Sequence, residues 1–246
     1  ETRYKQLDIF NTKYETAFTL GIDGRSDHIS PVGLYKTTQR KLTETVREDL
    51  VTQNSISLWA QNENRWTPSI RTIIGARADF YQFNVMSNVP VNSGNANDKK
   101  ISPKFSLIYS PFKSAEFYAN YGAGFHSNDA RGTTITVDPV DRTTPVSKVD
   151  PLVKAIGSEL GIRTELIKGW TSNLALWKLN MASELLFIGD AGTTEPSSPS
   201  KRYGVEWNNF YALNNNLSLD LDLAWAHSRF VNELNQQTLI PGAVSS

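Results

Sequence analysis

Leu217-Ser218-Leu219-Asp220-Leu221-Asp222-Leu223-Ala224-Trp225-Ala226 is the stretch whose reading decides the fold. Leu217, Leu219, Leu221, Leu223 and Trp225 share one parity, and Ser218, Asp220, Asp222, Ala224 and Ala226 share the other. Successive side chains of a strand point to opposite faces, so a strand sorts these residues into an apolar and a polar face, whereas a helix mixes them.

The same alternation recurs upstream. Tyr203, Val205, Trp207, Tyr211 and Leu213 oppose Arg202, Gly204, Glu206 and Asn208, with a mild break of phase at Asn209 and Phe210. Ala175, Trp177, Leu179, Met181, Leu185 and Phe187 read as one face against Lys178, Asn180 and Glu184. Phe117, Ala119, Tyr121, Ala123 and Phe125 oppose Glu116, Asn120, Gly122, Gly124 and His126. Ile70, Thr72, Ile74, Ala76, Ala78 and Phe80 oppose Arg71, Gly75, Arg77 and Asp79. Weaker versions cover 53–66, 102–110 and 152–164, Phe18, Leu20 and Ile22 mark another strand, and 3–10 a partial one. The pattern predicts about ten strands, all antiparallel.

The connections alternate in length. Residues 64–69, 110–114, 167–169 and 214–216 read as short turns. Residues 29–51, 88–100, 127–150, 190–200 and 231 onward read as long loops rich in Gly, Pro, Ser, Thr, Asn and Asp. This rhythm is that of an up-and-down membrane barrel, with short turns on the periplasmic side and long loops outside. A soluble sheet with one wet face also alternates. Several segments, however, run longer than ordinary soluble strands and match the tilted span of a bilayer. Trp59, Trp66, Trp170, Tyr109, Tyr203, Tyr211, Trp225 and Phe230 fall towards segment ends, where interfacial rings belong.

Composition narrows the classes further. The 246 residues carry 25 basic and 25 acidic side chains without a long block of either sign, so the electrostatic footprint of a nucleic-acid binder is missing. No cysteine occurs, which excludes disulfides, thiolate zinc sites and a cysteine nucleophile. No apolar run approaches the length of a membrane-spanning helix, which leaves a barrel open. The chain opens at Glu1-Thr2-Arg3-Tyr4, so any secretion leader lies outside it.

Several passages resemble the barrel of TonB-dependent outer-membrane receptors. They are Val46-Arg47-Glu48-Asp49 leading into Ser57-Leu58-Trp59-Ala60-Gln61-Asn62-Glu63, then Gly75-Ala76-Arg77-Ala78-Asp79-Phe80-Tyr81. Pro103-Lys104-Phe105-Ser106-Leu107-Ile108-Tyr109, the run from Phe117 to Gly132, Gly189 to Pro196 and Arg202-Tyr203-Gly204-Val205-Glu206 complete the series. The resemblance implies an all-β, antiparallel up-and-down transmembrane barrel segment, residues 1–246, belonging to a larger barrel of 22 strands with a plugged lumen. It implies uptake of a scarce nutrient such as an iron–siderophore complex, in the bacterial outer membrane. It also implies partnership with outer-membrane lipid and with the TonB energy-coupling complex, reached through a plug domain that this segment does not include. An open sheet edge in hydrocarbon leaves backbone groups unsatisfied, which agrees that further strands complete the wall.

Neither enzyme nor cofactor is expected. His28, His126 and His227 lack a two-histidine ligand spacing, so no protein metal site is predicted. Asp220 and Asp222 read as an interior ladder answered by arginines on neighbouring strands. Ser57 and Ser106 have no organised histidine and acid partner. Gly122-Ala123-Gly124 opens no helix and is no phosphate loop. Ligand recognition is expected on the outer rim at His126, Asp129 and Arg131, with Tyr203 less favoured, because the Arg131 fork suits a carboxylate or catecholate oxygen pair. A passive pore, a ten-stranded outer-membrane hydrolase and a soluble carbohydrate-binding sandwich are the alternatives.

Overall fold

The computed structural model describes residues 2–7, 15–188, 193–231 and 237–239, with side-chain surroundings for 15–184 and 197–231. The strands are β1 (Thr2–Leu7), β2 (Glu15–Thr38), β3 (Lys41–Thr67), β4 (Ile70–Ser87), β5 (Gly94–Phe112), β6 (Ala115–Ser127), β7 (Leu152–Ile167), β8 (Trp170–Met181), β9 (Leu185–Ile188), β10 (Thr193–Pro196), β11 (Ser200–Asn214), β12 (Leu217–Val231) and β13 (Gln237–Leu239). A 3-10 turn at Pro90–Asn92 and one short helix, α1 (Ala130–Thr134), interrupt them.

Each strand pairs antiparallel with its neighbours in one ribbon of order β1-β2-β3-β4-β5-β6-β7-β8-β11-β12-β13, and β9 with β10 form a separate hairpin. Nine of the ribbon's strands are long, from 12 residues in β8 to 27 in β3, and these are the bilayer-length segments read from the pattern. The four expected short turns are two-residue connections. They pair Thr67 with Ile70, Phe112 with Ala115, Ile167 with Trp170 and Asn214 with Leu217, each beside a register shift. Such bulges add the local twist that a curved wall needs. Gly169 takes φ +80, and a Cβ there would come 2.9 Å from the Ala212 carbonyl oxygen, so the residue type is dictated twice.

Register makes the faces continuous. Leu58 lies between Ile22 and Ala78, and Leu221, Leu223 and Trp225 align with Asn209, Trp207 and Val205. No second sheet covers this apolar face among the described residues: Leu58 is 54% exposed, Leu160 61%, Leu176 54% and Leu221 52%. Each large apolar side chain left in water forgoes about 1.5–3 kcal/mol, and soluble monomers rarely tolerate a contiguous patch beyond a few hundred Å². A face of this extent is stable only against an apolar medium.

The structure corrects the strand reading at several points. Residues 29–51 are not an irregular loop: β2 and β3 continue as a hairpin to a turn at Gln39 and Arg40, both at positive φ, the pair of angles a type I′ turn requires. Alternation fades there because only its base, at Val46 and Val51, packs against apolar groups, and the rest of the extension is largely exposed on both faces. The 88–100 connection is shorter than expected, since β5 already begins at Gly94. In β8 the phase is reversed. Ala175 and Trp177 align with Glu206 and Gly204 on the polar face, and Leu174, Leu176, Lys178 and Asn180 hold the other. Both parities of β8 are apolar, so its pattern could not choose between them.

Trp59 stands on the polar face across Gly21, not in an interfacial ring. Phe125 belongs to the buried cluster at the rim instead of the exposed row of β6. The 8–10 end of the partial first strand, the side chains of Leu185 and Phe187 and much of the expected loops at 190–200 and beyond 231 lie outside the described residues.

Candidate functional site

The polar face carries a ladder of charges at mid-wall. Arg77 Nε donates to Asp79 Oδ1 at 2.8 Å and its Nη2 to Ser57 Oγ at 2.8 Å, while Nη1 pairs with Asp23. Ser57 Oγ donates onward to Asp79 Oδ1 at 2.6 Å, which accounts for that hydroxyl without any nucleophilic role. A cavity of about 810 Å³ opens over this group, lined among others by Trp59 and Lys104. Towards the short turns, Arg71 bridges Glu63 at 3.0 Å and Glu116 at 3.7 Å, and Arg163 meets Glu116 at 3.1 Å. Asp222 is answered by the Asn208 amide at 3.0 Å rather than by an arginine.

At the long-loop end the β6–β7 connection folds back onto the wall. Val51, Phe83, Val85, Ala130 and Leu152 form a buried cluster, with Tyr81, Ala96 and Phe125 packed against it. Tyr81 and Phe125 meet edge to face at 5.6 Å between centroids. Asn92, fully buried, pins the connection: its Oδ1 accepts from Thr136 N at 2.8 Å and Val137 N at 3.0 Å, and its Nδ2 donates to Val137 O at 2.9 Å. Thr134 Oγ1 donates to Asn92 O at 2.8 Å. No periodic signal marks such a residue, so sequence reading missed it.

Asp129 begins α1 as its N-cap, accepting from Arg131 N at 3.0 Å. Its carboxylate also receives Arg131 Nε at 3.0 Å and Nη2 at 2.6 Å. Burial raises the Asp129 carboxyl and lowers the Arg131 guanidinium, but their mutual bonds outweigh it, so the net direction is down for Asp129 and up for Arg131. Arg47 and Asp49 of β3 form a second, almost fully buried pair whose field reaches them: Arg47 favours the Asp129 charge and Asp49 that of Arg131. The rim thus holds two arginines and two aspartates in balance. A buried pair broken on one side leaves an uncompensated charge, so the quartet holds the loop in one geometry.

The three expected rim residues therefore differ. Asp129 and Arg131 are brought together and satisfy each other, while His126 lies before them with both ring nitrogens buried and lacking a hydrogen-bond partner. Tyr203 lies elsewhere, 41% exposed on the apolar face beside Trp225 and His227. Farther along the loop, Asp141 caps Thr143 and Thr144 by accepting their backbone N–H bonds and the Thr144 hydroxyl, which lowers its carboxyl to about 2. Among the described residues no group of three or more His, Cys, Asp or Glu could hold a metal ion.

An antiparallel ribbon with one face for hydrocarbon, a charged face opposite, tight turns at one end and structured loops at the other defines the wall of a membrane β-barrel. The chain matches the family described as TonB dependent receptor-like, beta-barrel, over residues 2–243, and it belongs to that family. Solved structures agree on the fold. The alcaligin outer-membrane receptor FauA of Bordetella pertussis is 12% identical with a TM-score of 0.67, over 96% of this chain and 39% of its own. The copper transporter OprC is 14% identical with a TM-score of 0.67, over 93% and 38%. The ferric yersiniabactin uptake receptor FyuA of Yersinia pestis is 15% identical with a TM-score of 0.64, over 90% and 33%. The chain thus spans between 33% and 39% of the length of these receptors. No curated protein sequence matches it significantly.

Proposed function

We propose that this chain forms part of the wall of an outer-membrane receptor that takes up a scarce nutrient, such as a ferric siderophore, at the cost of energy delivered by the TonB complex through a plug domain. The observation that carries the reading is the division of one continuous ribbon into an exposed apolar face and a charge-laddered face, in a chain of this family. Similar receptors named for alcaligin and ferric yersiniabactin support an iron chelate as the cargo class. Further strands close the ribbon, because β12 offers an unpaired edge over Leu217–Ser228 among the described residues and hydrocarbon cannot satisfy it. In this reading the outer rim at His126, Asp129 and Arg131 is the candidate ligand-binding region, with the Asp129–Arg131 pair anchoring its loop.

The test is uptake of labelled ferric siderophores by iron-starved cells with and without the receptor. Uptake that disappears when the proton gradient is collapsed supports the reading. Steady conductance and entry without an energy source would select a passive pore instead.

A further inference from the structure

The seam between β5 and β6 is paired over only part of its length. From the short turn the register runs through Tyr109 against Phe117 to Lys104 against Gly122, and it stops there. β5 nevertheless continues beside β4 to Gly94, and β6 continues beside β7 to Ser127, so among the described residues the two strands go on without each other. Pro103, which has no N–H to give a ladder, stands at the fork. The strands part quickly: a Cβ at Gly122 would lie 3.9 Å from the Pro103 carbonyl oxygen, whereas one at Gly124 would meet nothing within 4 Å.

The upper end of the β6–β7 pair leans over the polar face instead. Phe125 meets Tyr81 of β4 at 5.6 Å between ring centroids, and Leu152 is buried with Phe83 and Val85. Asp98 Oδ2 of β5 accepts from the Leu152 N–H of β7 at 3.2 Å. Adjacent strands of a sheet lie about 4.8 Å apart, so a β6 seated between them would put β7 two spacings from β5, beyond the reach of an aspartate. That bond exists only because the strands have parted.

The sequence also carries a second arrangement. Continuing the β5–β6 register sets Ser102 against Gly124 and Ile101 against Phe125. The alternation of β6, unbroken from Phe117 to Phe125, then places Phe125 in the apolar row with Tyr121. It also gives a neighbour to Ile101, which stands 74% exposed as the strands lie here. Zipping pairs backbone groups that are costly to leave open beside hydrocarbon, and it frees the His126 ring nitrogens, which are buried without a partner. Opposing it are the apolar burial at the rim and the Asp98 latch.

We propose that the top of β6 and β7, with the loop they carry, is a two-state flap. It is either docked over the polar face or zipped onto β5, from Pro103 against Ala123 to Lys99 against Ser127. Docked, Gly124 and Phe125 wall one side of the cavity over Trp59, Arg77 and Lys104; zipped, they withdraw into the wall and open it. The proposal rests on the barrel reading of the ribbon and is independent of the cargo.

The test uses the intact receptor containing this chain, in outer-membrane vesicles and in a background without other cysteines. Three cysteine pairs are oxidised, and the bridged peptides are counted by mass spectrometry. S106C/N120C spans the paired part of the seam and serves as reference. S102C/G124C reports the zipped arrangement. G94C/T134C reports the docked one, because a Cβ at Gly94 would lie 3.8 Å from the Thr134 Cβ, a normal separation for a disulfide. All three bridges should form. Removing the latch with D98A should speed S102C/G124C about tenfold, as loss of a hydrogen bond to a charged group implies, and slow G94C/T134C while the reference stays unchanged. An S102C/G124C bridge that never forms, or that forms as fast as the reference whatever stands at position 98, overturns the flap. So do reporter rates indifferent to D98A. Failure of the S106C/N120C reference would instead refute the strand ladder and with it the barrel reading, and D98N serves if D98A does not fold.

Discussion

The indole of Trp177 lies across Gly204 on the adjacent strand, so close that a Cβ at position 204 would come 2.8 Å from the ring carbon Cζ2, while pressing harder still on the backbone carbonyl oxygen of Trp225. The same pairing of a ring with a glycine on the next strand occurs between Tyr118 and Gly161 and between Trp59 and Gly21. In each case the ring lies flat over backbone that has no side chain of its own, as in aromatic rescue of sheet glycines.

Gly204→Ala should therefore push on both the Trp177 ring and the Trp225 backbone carbonyl and cost about 1–3 kcal/mol, the range for overpacking. Urea unfolding in detergent checks this, and the same substitution in a Trp177→Ala background should lose only the part of the cost that the ring contributes, because the Trp225 carbonyl remains. Equal costs in both backgrounds would show that the Trp225 carbonyl alone, and not the ring, sets the requirement for glycine.

Asn92→Ala should loosen the rim loop without dismantling the wall. The substitution strands two backbone donors, at Thr136 and Val137, and one acceptor. Leaving a buried polar group unsatisfied costs about 1–3 kcal/mol. Protease cleavage within 135–150 should accelerate while β-sheet circular dichroism stays unchanged.

Docking of the same loop should depend on pH in one direction. The folded Asp129 carboxyl sits below its ordinary value of 3.8, so its contribution is complete above that value and is lost as the pH falls through the lowered folded one. Asp129→Asn should remove this acid dependence and leave Arg131 without its charge partner. Hydrogen exchange of 130–134 between mildly acidic and strongly acidic buffer reads both effects, and an unchanged profile in the variant would contradict the assignment.

Much of the wall was legible in the sequence because the chemistry of each face is different. Leu217 to Ala226 presents leucines to one side and aspartates to the other, and the structure keeps that parity. The pattern failed where the contrast failed. Trp177 and Leu176 are both apolar, so only the space over Gly204 decides which of them turns inward. Pattern reading likewise could not see the β2–β3 extension, where neither face meets hydrocarbon. At the rim, Asp129 stood out as a charged loop residue, yet its partner within hydrogen-bonding reach is Arg131 and its distant support is Arg47, some 80 positions away in sequence. Asn92 was invisible for a related reason: its partners at 134–137 are joined to it by folding alone.

The facing of Leu221 and Asp220 is the point on which the whole account turns, and the absence of cysteine allows it to be measured with single labels. L221C and D220C, each carrying an environment-sensitive fluorophore, are placed in bilayers with quencher either on lipid chains or dissolved in water. The account predicts that the label at 221 is quenched by the lipid-borne quencher and shielded from the soluble one, with the reverse at 220. Equal quenching of both labels by the soluble quencher would contradict it.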